Sequence, residues 1–418
     1  MVREVRYKPS IYNYTYKNIL WNGYSNSVGV YSEDEIKAIS EDPNGLPQEL
    51  KQEVIDCGFI VPDDLEEYQR VLCAKEEIMV RGYDTPIIDI SPTTACNARC
   101  SYCFQKGCKY ESMTDDTVEQ TIRFVESVLE GENSVLIEWF GGEPMLMWDT
   151  IVHMSRELIA FCDANGKSYD AMMTTNGSML RPHLDELKDL RITTLRLPID
   201  GPGKVYEERK AYVSNGCTYD ELIDTAVEAL KRGIEVFFRL NADKDNSEDI
   251  KKVSDRLSEI DSSYNYHIDV TPITGKKNGH RLLTTPELSE IQQYHVHRKG
   301  ERTEPELLEH PLCPALSKKN IAIGPDGLVF KCVKCMGAKG QEIGDVWDGF
   351  YYNSAYYFWK SCTPPDMCRE CEAFPVCLGG CPYDQKYIME WDSDDCDEMK
   401  GWIAVKSKEL YEYYCTKE

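Results

Sequence analysis

The chain has 418 residues, and its 72 acidic residues outnumber its 47 lysines and arginines, which gives a net charge of −25. Because phosphate binding requires a basic face, this charge argues against a nucleic acid as the main partner. Residues 1–10 carry charges without the apolar stretch of a signal peptide, and no apolar run approaches the length of a membrane span. The sequence therefore predicts a cytoplasmic protein with no membrane partner.

The 18 cysteines are unusual for such a protein, because the cytoplasm keeps thiols reduced. They concentrate in two groups, at 96–108 and 313–396. Disulfides are one explanation, and metal or iron–sulfur ligation is the interpretation that we favour. Cys162 is an exception, since it lies on the apolar face of a predicted helix and is expected in the core.

The first 84 residues contain two strand-like stretches, YNYTYKN and SVGVYS, followed by short amphipathic helices. They predict a small α+β module ahead of the main domain. Residues 301–418 are rich in cysteine and turns and have weak periodicity. A large apolar core does not explain how such a segment folds, whereas bound metal clusters would stabilise it.

Between these flanks the chain alternates strands and helices. Apolar, β-rich runs occur at 86–91, 135–140, 169–175, 192–199, 235–241 and 266–273. Helical periodicity occurs at 115–130, 149–164, 181–190, 219–232, 248–260 and 286–298. Six successive β-α units are fewer than the eight of a closed barrel. The sequence predicts an α/β fold, a partial (β/α)6 barrel, with its chemistry at the carboxyl ends of the strands.

The first group of cysteines follows the first predicted barrel strand and reads Cys96-Asn-Ala-Arg-Cys100-Ser-Tyr-Cys103. Three thiolates on one loop can hold three corners of a [4Fe-4S] cube and leave the fourth iron without a protein ligand. A structural zinc site normally has four ligands, and Cys108 would then be the fourth. The spacing favours the cluster and leaves zinc as the alternative.

This C-x3-C-x2-C loop, with Tyr102 before its last cysteine, resembles that of the radical S-adenosylmethionine (SAM) superfamily. The resemblance implies that the open iron binds the amino and carboxylate groups of SAM. An electron from the cluster then cleaves SAM to methionine and a 5′-deoxyadenosyl radical, which abstracts hydrogen from an unactivated position. The cofactor supplies this chemistry, and the protein positions the substrate and excludes water.

A second motif, Gly141-Gly142-Glu143-Pro144, follows the second predicted barrel strand. Glycines allow the backbone to approach a ligand closely, and a carboxylate beside them accepts hydrogen bonds from an ammonium group. The segment is similar to the superfamily's GGEP motif. The similarity implies that Gly141, Gly142, Glu143 and Pro144 bind the amino group of SAM.

Weaker similarities lie at the ends of the third and fourth strands, in TTNG at 174–177 and PIDGP at 198–202. Both resemble superfamily segments near the ribose and carboxylate of SAM, which implies cofactor contacts for Thr175, Asn176 and Asp200. Further candidates for contacts to SAM or substrate, with polar caps of strand ends as the alternative, are Arg209, Arg239 and Asn241.

The second group of cysteines has a regular spacing. Thirteen residues separate Cys313 from Gly327-x4-Cys332, and Cys368-x2-Cys371-x5-Cys377-x3-Cys381 precedes Cys396. The pattern resembles the seven-cysteine SPASM extension of radical SAM enzymes, and a pair of zinc ribbons is the alternative.

The SPASM resemblance implies two auxiliary [4Fe-4S] clusters, which makes three clusters in all. We call one the inner cluster, with implied ligands Cys313, Cys332 and Cys381. We call the other the distal cluster, with implied ligands Cys368, Cys371, Cys377 and Cys396. The fully ligated family pattern has one more cysteine between the first two positions, and this chain has none there. The inner cluster is therefore either open, which would favour sulfur chemistry, or closed by Cys335 or Cys362.

Enzymes with SPASM extensions mostly modify peptides or proteins, and residues 1–84 resemble the winged-helix module that grips precursor leader peptides. Such a module can take a peptide as an added strand. A structural cap on the barrel is the alternative. We therefore expect a recognition module at 1–84, a radical SAM partial barrel at 85–300 and a SPASM domain at 301–418.

The leading functional hypothesis is a peptide maturase that installs a thioether, C–C or C–O crosslink on a ribosomally made precursor peptide. Its expected partners are that precursor and a reductant such as flavodoxin or ferredoxin. One alternative is oxidation of a protein Ser or Cys to formylglycine, as in sulfatase maturases, or dehydrogenation of a small alcohol. An alternative of another class is a non-catalytic iron–sulfur protein for electron transfer.

Overall fold

The computed structural model describes residues 5–273, 281–298, 313–383 and 393–416. The chain divides into two compact units. The barrel unit contains residues 82–299 and 314–361, and the terminal unit contains residues 1–81, 300–313 and 362–418. The domain boundary predicted between 300 and 301 lies outside the described residues. Among the described helices, none has the length and apolar character needed to cross a membrane.

The strands and helices follow in chain order. The strands are β1 Tyr7–Pro9, β2 Asn13–Tyr16, β3 Ile19–Asn22, β4 Val28–Val30, β5 Ile60–Pro62, β6 Ile87–Ile90, β7 Ser134–Trp139, β8 Ser168–Thr174, β9 Ile192–Ile199, β10 Glu235–Ala242, β11 Tyr266–Pro272, β12 Ile321–Ile323, β13 Leu328–Phe330, β14 Gly344–Asp345 and β15 Gly349–Phe350. The helices are α1 Glu33–Glu41, α2 Gln48–Asp56, α3 Glu67–Arg81, α4 Asp115–Val128, α5 Trp148–Ala164, α6 Gly203–Lys210, α7 Tyr219–Lys231, α8 Ser247–Leu257, α9 Thr285–Arg298, α10 Ser354–Lys360, α11 Phe374–Cys377 and α12 Ser393–Cys415.

The barrel unit is built on a sheet in which β6 to β11 lie side by side in chain order, all parallel. The predicted α/β fold with a mainly parallel sheet is confirmed. Each predicted barrel strand is present, because alternating apolar residues give a strand one fully buried face, as in the pattern of β7 and β10. Helices α4, α5, α7, α8 and α9 follow the strands and bury apolar stripes, and Cys162 of α5 is fully buried as expected.

Residues 321–350 extend this same sheet. Strand β12 pairs with β6 in parallel, and β13, β14 and β15 follow as antiparallel hairpins. The sequence predicts these residues as part of a separate C-terminal segment, and the structure corrects this. Strands of two or three residues are too short to show the alternation by which a strand is recognised.

The helix predicted at 181–190 is wrong. This segment is a 3-10 turn at Arg181–His183 followed by further turns. The three buried leucines at 184, 187 and 190 are spaced by three residues, which is the period of a 3-10 helix rather than of an α-helix. Helix α6, which the sequence analysis missed, begins shortly after β9.

The terminal unit contains a small antiparallel sheet of order β2-β3-β4. Trp21 of β3 is fully buried in a cluster with Ile403 and Leu410 of α12, and its indole Nε1 donates to Ser407 Oγ at 2.7 Å. The neighbouring Leu20 belongs to a second cluster, with residues of α1, α2 and β5. The N-terminal sheet therefore shares its core with the C-terminal helix, because successive residues of a strand face opposite sides. The winged-helix arrangement stays a prediction.

Candidate functional site

The loop that carries Cys96, Cys100 and Cys103 follows β6, and its three thiols are partly exposed. Burial raises the pKa of the Cys96 thiol to about 11, and the nearby Glu143, Cys100 and Cys103 add to this rise. These three cysteines therefore lie within electrostatic reach of one another. No group of three His, Cys, Asp or Glu side chains in the described ranges has the geometry for a single metal ion. A cube of four irons spaces its ligands more widely than one ion does.

The Gly-Gly-Glu-Pro segment packs directly on the backbone that leads into this loop. Gly142 N donates to Thr93 O at 3.0 Å, and Glu143 N donates to Ala95 O at 2.9 Å. A Cβ atom on Gly142 would lie 2.2 Å from Ala95 O, and one on Gly141 would lie 2.4 Å from Thr93 O. Gly141 also has a φ of +135°. Glycine is therefore required at 141 and 142 because the backbone of the cysteine loop lies too close for a side chain. The sequence predicts instead that these glycines make room for a ligand.

Glu143 has a carboxylate that is 1% exposed and accepts three hydrogen bonds. Its Oε1 accepts from Thr175 Oγ1 at 2.6 Å and from Met145 N at 3.0 Å, while its Oε2 accepts from Asn176 N at 2.8 Å. Burial raises the pKa of Glu143, although these hydrogen bonds act in the opposite direction. The hydrogen bonds of Glu143 thereby connect the ends of β7 and β8. Pro144 is the first residue of the 3-10 turn that leads into α5.

Asn97, between the first two cysteines of the loop, connects it to the end of β8. Its Oδ1 accepts from Asn176 Nδ2 at 2.7 Å, and its Nδ2 donates to Ser178 Oγ at 2.9 Å. Asn97 Nδ2 also donates to the carbonyls of Ser214 and Asn215. Asn97 is 2% exposed, and its hydrogen bonds to several segments hold the cysteine loop in place.

Asp200, at the end of β9, is fully buried beside a cation that the sequence analysis missed. Lys210 Nζ lies 2.8 Å from Asp200 Oδ2 and is itself 2% exposed. Tyr102 OH donates to Asp200 Oδ2 at 2.6 Å, and Asn241 Nδ2 donates to Oδ1 at 2.8 Å. Burial would lower the pKa of Lys210, but Asp200 and Cys100 raise it overall. Asp200 therefore contacts the tyrosine of the cysteine loop, and its predicted contact to SAM stays a prediction.

The C-terminal end of α6 contacts the same loop through its backbone. Arg99 N donates to Lys210 O at 2.9 Å, and Cys100 Sγ lies 3.8 Å from that carbonyl. Arg209, one residue earlier, forms an ion pair with the buried Asp243, with Nη2 2.9 Å from Oδ2. Its ring partner is Tyr102, whose centroid lies 5.9 Å from the guanidinium carbon.

The inner face of the sheet carries a row of charged groups below these strand ends. Glu138 of β7 accepts from Arg196 Nη1 at 2.8 Å and from Thr174 Oγ1 at 2.9 Å. Burial and the neighbouring Glu138 raise the pKa of Asp89 well above its ordinary value. Arg239 of β10 lies in register with Asp269 of β11, and burial lowers the pKa of Arg239. This polar row within a sheet buried on its other face is suited to holding a polar substrate.

The second group of cysteines is divided between the two units. Cys332 and Cys335 belong to the barrel unit, where Cys335 is fully buried, and Cys313 and Cys381 belong to the terminal unit. Cys368, Cys371, Cys377 and Cys396 all lie in the terminal unit. Burial raises the pKa of Cys368 to about 12, and the other three thiols add to the rise. The four predicted ligands of the distal cluster are therefore brought close together.

Lys75 of α3 is buried next to these thiols, at 2% exposure. Its Nζ donates to Leu378 O at 3.0 Å and to Cys362 O at 3.5 Å. Burial lowers the pKa of Lys75, and Cys362, Cys368 and Cys377 oppose that change. No feature of the sequence indicated this role, because the helix containing Lys75 precedes the cysteines by nearly 300 residues.

The chain is similar to known proteins over most of its length. Residues 90–257 match the sequence model of the radical SAM superfamily. The radical SAM cyclopropyl synthase TigE of Paramaledivibacter caminithermalis is 23% identical over 430 aligned positions, which cover 88% of this chain and 85% of that protein. The GTP 3′,8-cyclase of Chlorobaculum tepidum is 31% identical over 120 residues, covering 28% of this chain and 34% of that enzyme.

Two solved structures share the fold. The structure of anSMEcpe with bound AdoMet has a TM-score of 0.60 at 17% identity and covers 78% of this chain and 96% of its own. Streptococcus suis SuiB bound to its precursor peptide SuiA has a TM-score of 0.54 at 16% identity, and the match covers 93% and 98% of the two chains. The superfamily match includes the cysteine loop and the Gly-Gly-Glu-Pro segment, so residues 90–257 form a radical SAM domain.

Proposed function

We propose that this chain is a radical SAM peptide maturase that installs a crosslink on a ribosomally made precursor peptide. The observation that carries the radical SAM chemistry is the docking of the Gly-Gly-Glu-Pro segment on the cysteine loop by the hydrogen bonds of Gly142 and Glu143. A peptide substrate is supported by SuiB, which was solved with its precursor and resembles this fold over 93% of the chain.

Cys96, Cys100 and Cys103 would hold the [4Fe-4S] cluster. They fit it because three thiols meet on one loop beside a buried carboxylate and a fixed hydrogen-bond network. When bound, the cluster supplies the electron that cleaves SAM and yields the 5′-deoxyadenosyl radical. Asn97 and Tyr102 hold the loop in position through Asn176 and Asp200.

Glu143, with Gly141, Gly142, Pro144, Thr175 and Asn176 around it, would bind the amino group of SAM. An ionised carboxylate accepts about four hydrogen bonds, and three are already formed, so one acceptor position is left for an ammonium group. Asp200 and Asn241 bond to each other and to the loop, which supports a positioning role. Arg209 lies 5.9 Å from the ring centroid of Tyr102, which supports a positioning role for it as well.

The auxiliary clusters belong to the same proposal. The distal cluster would use Cys368, Cys371, Cys377 and Cys396, which lie together in the terminal unit. The inner cluster would use Cys313, Cys332 and Cys381, with Cys335 or Cys362 as a fourth ligand or with an open iron.

The radical chemistry is tested by formation of 5′-deoxyadenosine from SAM under anaerobic, reducing conditions. The triple replacement C96A/C100A/C103A should abolish it while most of the remaining iron stays bound. The matched control is Cys108→Ala on the same loop, which should keep the activity. A parental protein that forms no 5′-deoxyadenosine, and that binds zinc which is lost in Cys108→Ala, would instead favour a four-cysteine zinc site.

The substrate class is tested with a precursor peptide encoded beside the gene. A crosslink lowers the peptide mass by two hydrogens and leaves no group that reacts with a hydrazide reagent. Formation of a hydrazide-reactive aldehyde would favour formylglycine synthesis, the alternative of the sulfatase maturases. Unchanged peptide mass together with active SAM cleavage would contradict the maturase proposal.

A further inference from the structure

The ammonium group of Lys75, in the terminal unit, is buried and has no part in the proposed SAM site. A charged group of this kind costs several kcal/mol to remove from water unless an opposite charge compensates it. Lys75 forms no ion pair within the described parts of the chain, and its two recorded hydrogen bonds go to backbone carbonyls. The compensating anion is therefore still to be identified.

The neighbours of Lys75 indicate where that anion lies. The two carbonyls belong to Cys362 and to Leu378, the residue after Cys377. The thiols of Cys362, Cys368 and Cys377 act on the charge of Lys75, and the carboxylate of Glu76 acts in the same direction with a smaller effect. Four thiolates around a [4Fe-4S] core of charge 2+ carry a net charge of −2, which would supply the missing anion.

We propose that Lys75 is a positioning residue whose positive charge compensates the distal cluster and raises its reduction potential. The proposal rests on the distal cluster of the proposed function. Reduction adds one electron to the cluster, takes its net charge from −2 to −3 and makes or breaks no bond. A fixed cation nearby stabilises the more negative state, since net charge and hydrogen bonds set the potentials of such clusters.

A purely structural role is the competing explanation, and the geometry defines it. Leu378 has a left-handed φ of 52° and ends helix α11, so Lys75 also satisfies a carbonyl at a helix terminus. A glutamine can donate to that carbonyl without carrying a charge, whereas an arginine keeps the charge. The pair of variants Lys75→Gln and Lys75→Arg thus separates charge from hydrogen bonding.

The experiment measures the midpoint potential of the distal cluster by an anaerobic, EPR-monitored titration of the full chain with dithionite. The background is C96A/C100A/C103A, so that the SAM cluster does not contribute. The distal signal is identified by its loss in Cys371→Ala. Arg70→Gln is the matched control, because Arg70 is an exposed cation on the same helix α3.

K75Q should lower the equilibrium constant for reduction at least tenfold, which is about 59 mV for one electron. K75R and R70Q should keep the parental potential. Loss of iron in K75Q alone would equally support the proposal, because a dianionic cluster would then need the cation to bind. An unchanged potential in K75Q, or equal loss of iron in K75Q and K75R, would overturn it.

Failure of the underlying proposed function gives a different pattern. If Cys371→Ala leaves both the iron content and the EPR signal unchanged, the distal cluster is wrong and the role of Lys75 falls with it. Formation of 5′-deoxyadenosine by the chain in which Cys96, Cys100 and Cys103 are intact tests the SAM site separately. A shifted reduction potential in K75Q together with no peptide modification would support the proposed role of Lys75 and contradict the maturase proposal.

Discussion

Replacing Lys210 by Met should destabilise the barrel unit, because it leaves the carboxylate of Asp200 buried without its cation. Asp200 is 0% and Lys210 is 2% exposed, and their charged atoms lie 2.8 Å apart. Removing one partner of a buried pair typically costs about 3–5 kcal/mol. Tyr102 and Asn241 still donate to Asp200 in the variant, so we expect the lower end, about 3 kcal/mol.

The assay is a double-mutant cycle on anaerobic urea unfolding of the cluster-loaded protein, with K210M, D200N and the double variant. At an m-value of about 3 kcal/mol/M, K210M should lower the midpoint by about 1 M. The double variant should lose less than the sum of the two, with a coupling of about 2 kcal/mol. The matched control, Lys231→Met, removes an exposed ion pair and should cost under about 0.5 kcal/mol. Additive losses, or equal effects of K210M and K231M, would refute the coupling.

Three further predictions address other contacts. Gly142→Ala should abolish iron binding at the SAM cluster, because its Cβ would meet Ala95 O at 2.2 Å. The control is Gly131→Ala, whose Cβ would have no atom within 4 Å but would strain a left-handed backbone turn. It should lower the free energy of unfolding while the measured iron content stays unchanged. Ser407→Ala should cost about 1–3 kcal/mol in urea unfolding by leaving the indole N–H of Trp21 unsatisfied, and a cost near zero would contradict the shared core. Asp89→Asn should raise the free energy of unfolding above that of the parent, and this difference should grow from pH 5 to pH 7.5. Burial and Glu138 raise the folded-state pKa of Asp89, so the cost of ionising it in the fold appears as pH rises above its unfolded value of about 4. A variant no more stable than the parent at pH 7.5 would contradict this.

Most of the barrel was predictable from local patterns. The strands β6 to β11 each lie within two residues of the predicted runs, since a buried sheet face imposes a two-residue period on any sequence. The segment 181–190 was misread because leucines at three-residue spacing resemble one stripe of an α-helix. Strands β12 to β15 carried no signal, because pairs and triplets of residues have no measurable period.

The candidate site also contains residues that local sequence indicates and residues that only the fold reveals. The spacing of Cys96, Cys100 and Cys103 and the sequence Gly141–Pro144 are local, and they indicated the SAM site without a structure. Lys210 did not stand out, because no local pattern distinguishes a lysine that pairs with a buried Asp200 from one that faces water, and its other partner, Tyr102, lies 108 residues away. The glycines were expected to approach a ligand, and in the fold they approach the backbone at Thr93 and Ala95.

The sequence by itself therefore determined the similarity to the radical SAM superfamily, the order of the strands along the chain and the loop that carries Cys96, Cys100 and Cys103, because each depends on neighbours along the chain. Only the tertiary structure decided which charges are buried together. Asp200 at the end of β9 meets Lys210 of the nearby helix α6. Lys75 meets the second group of cysteines through folding that brings distant segments into contact. A lysine in a helix has the same local pattern whether it faces water or a buried anion, and its environment appears only when the chain is folded.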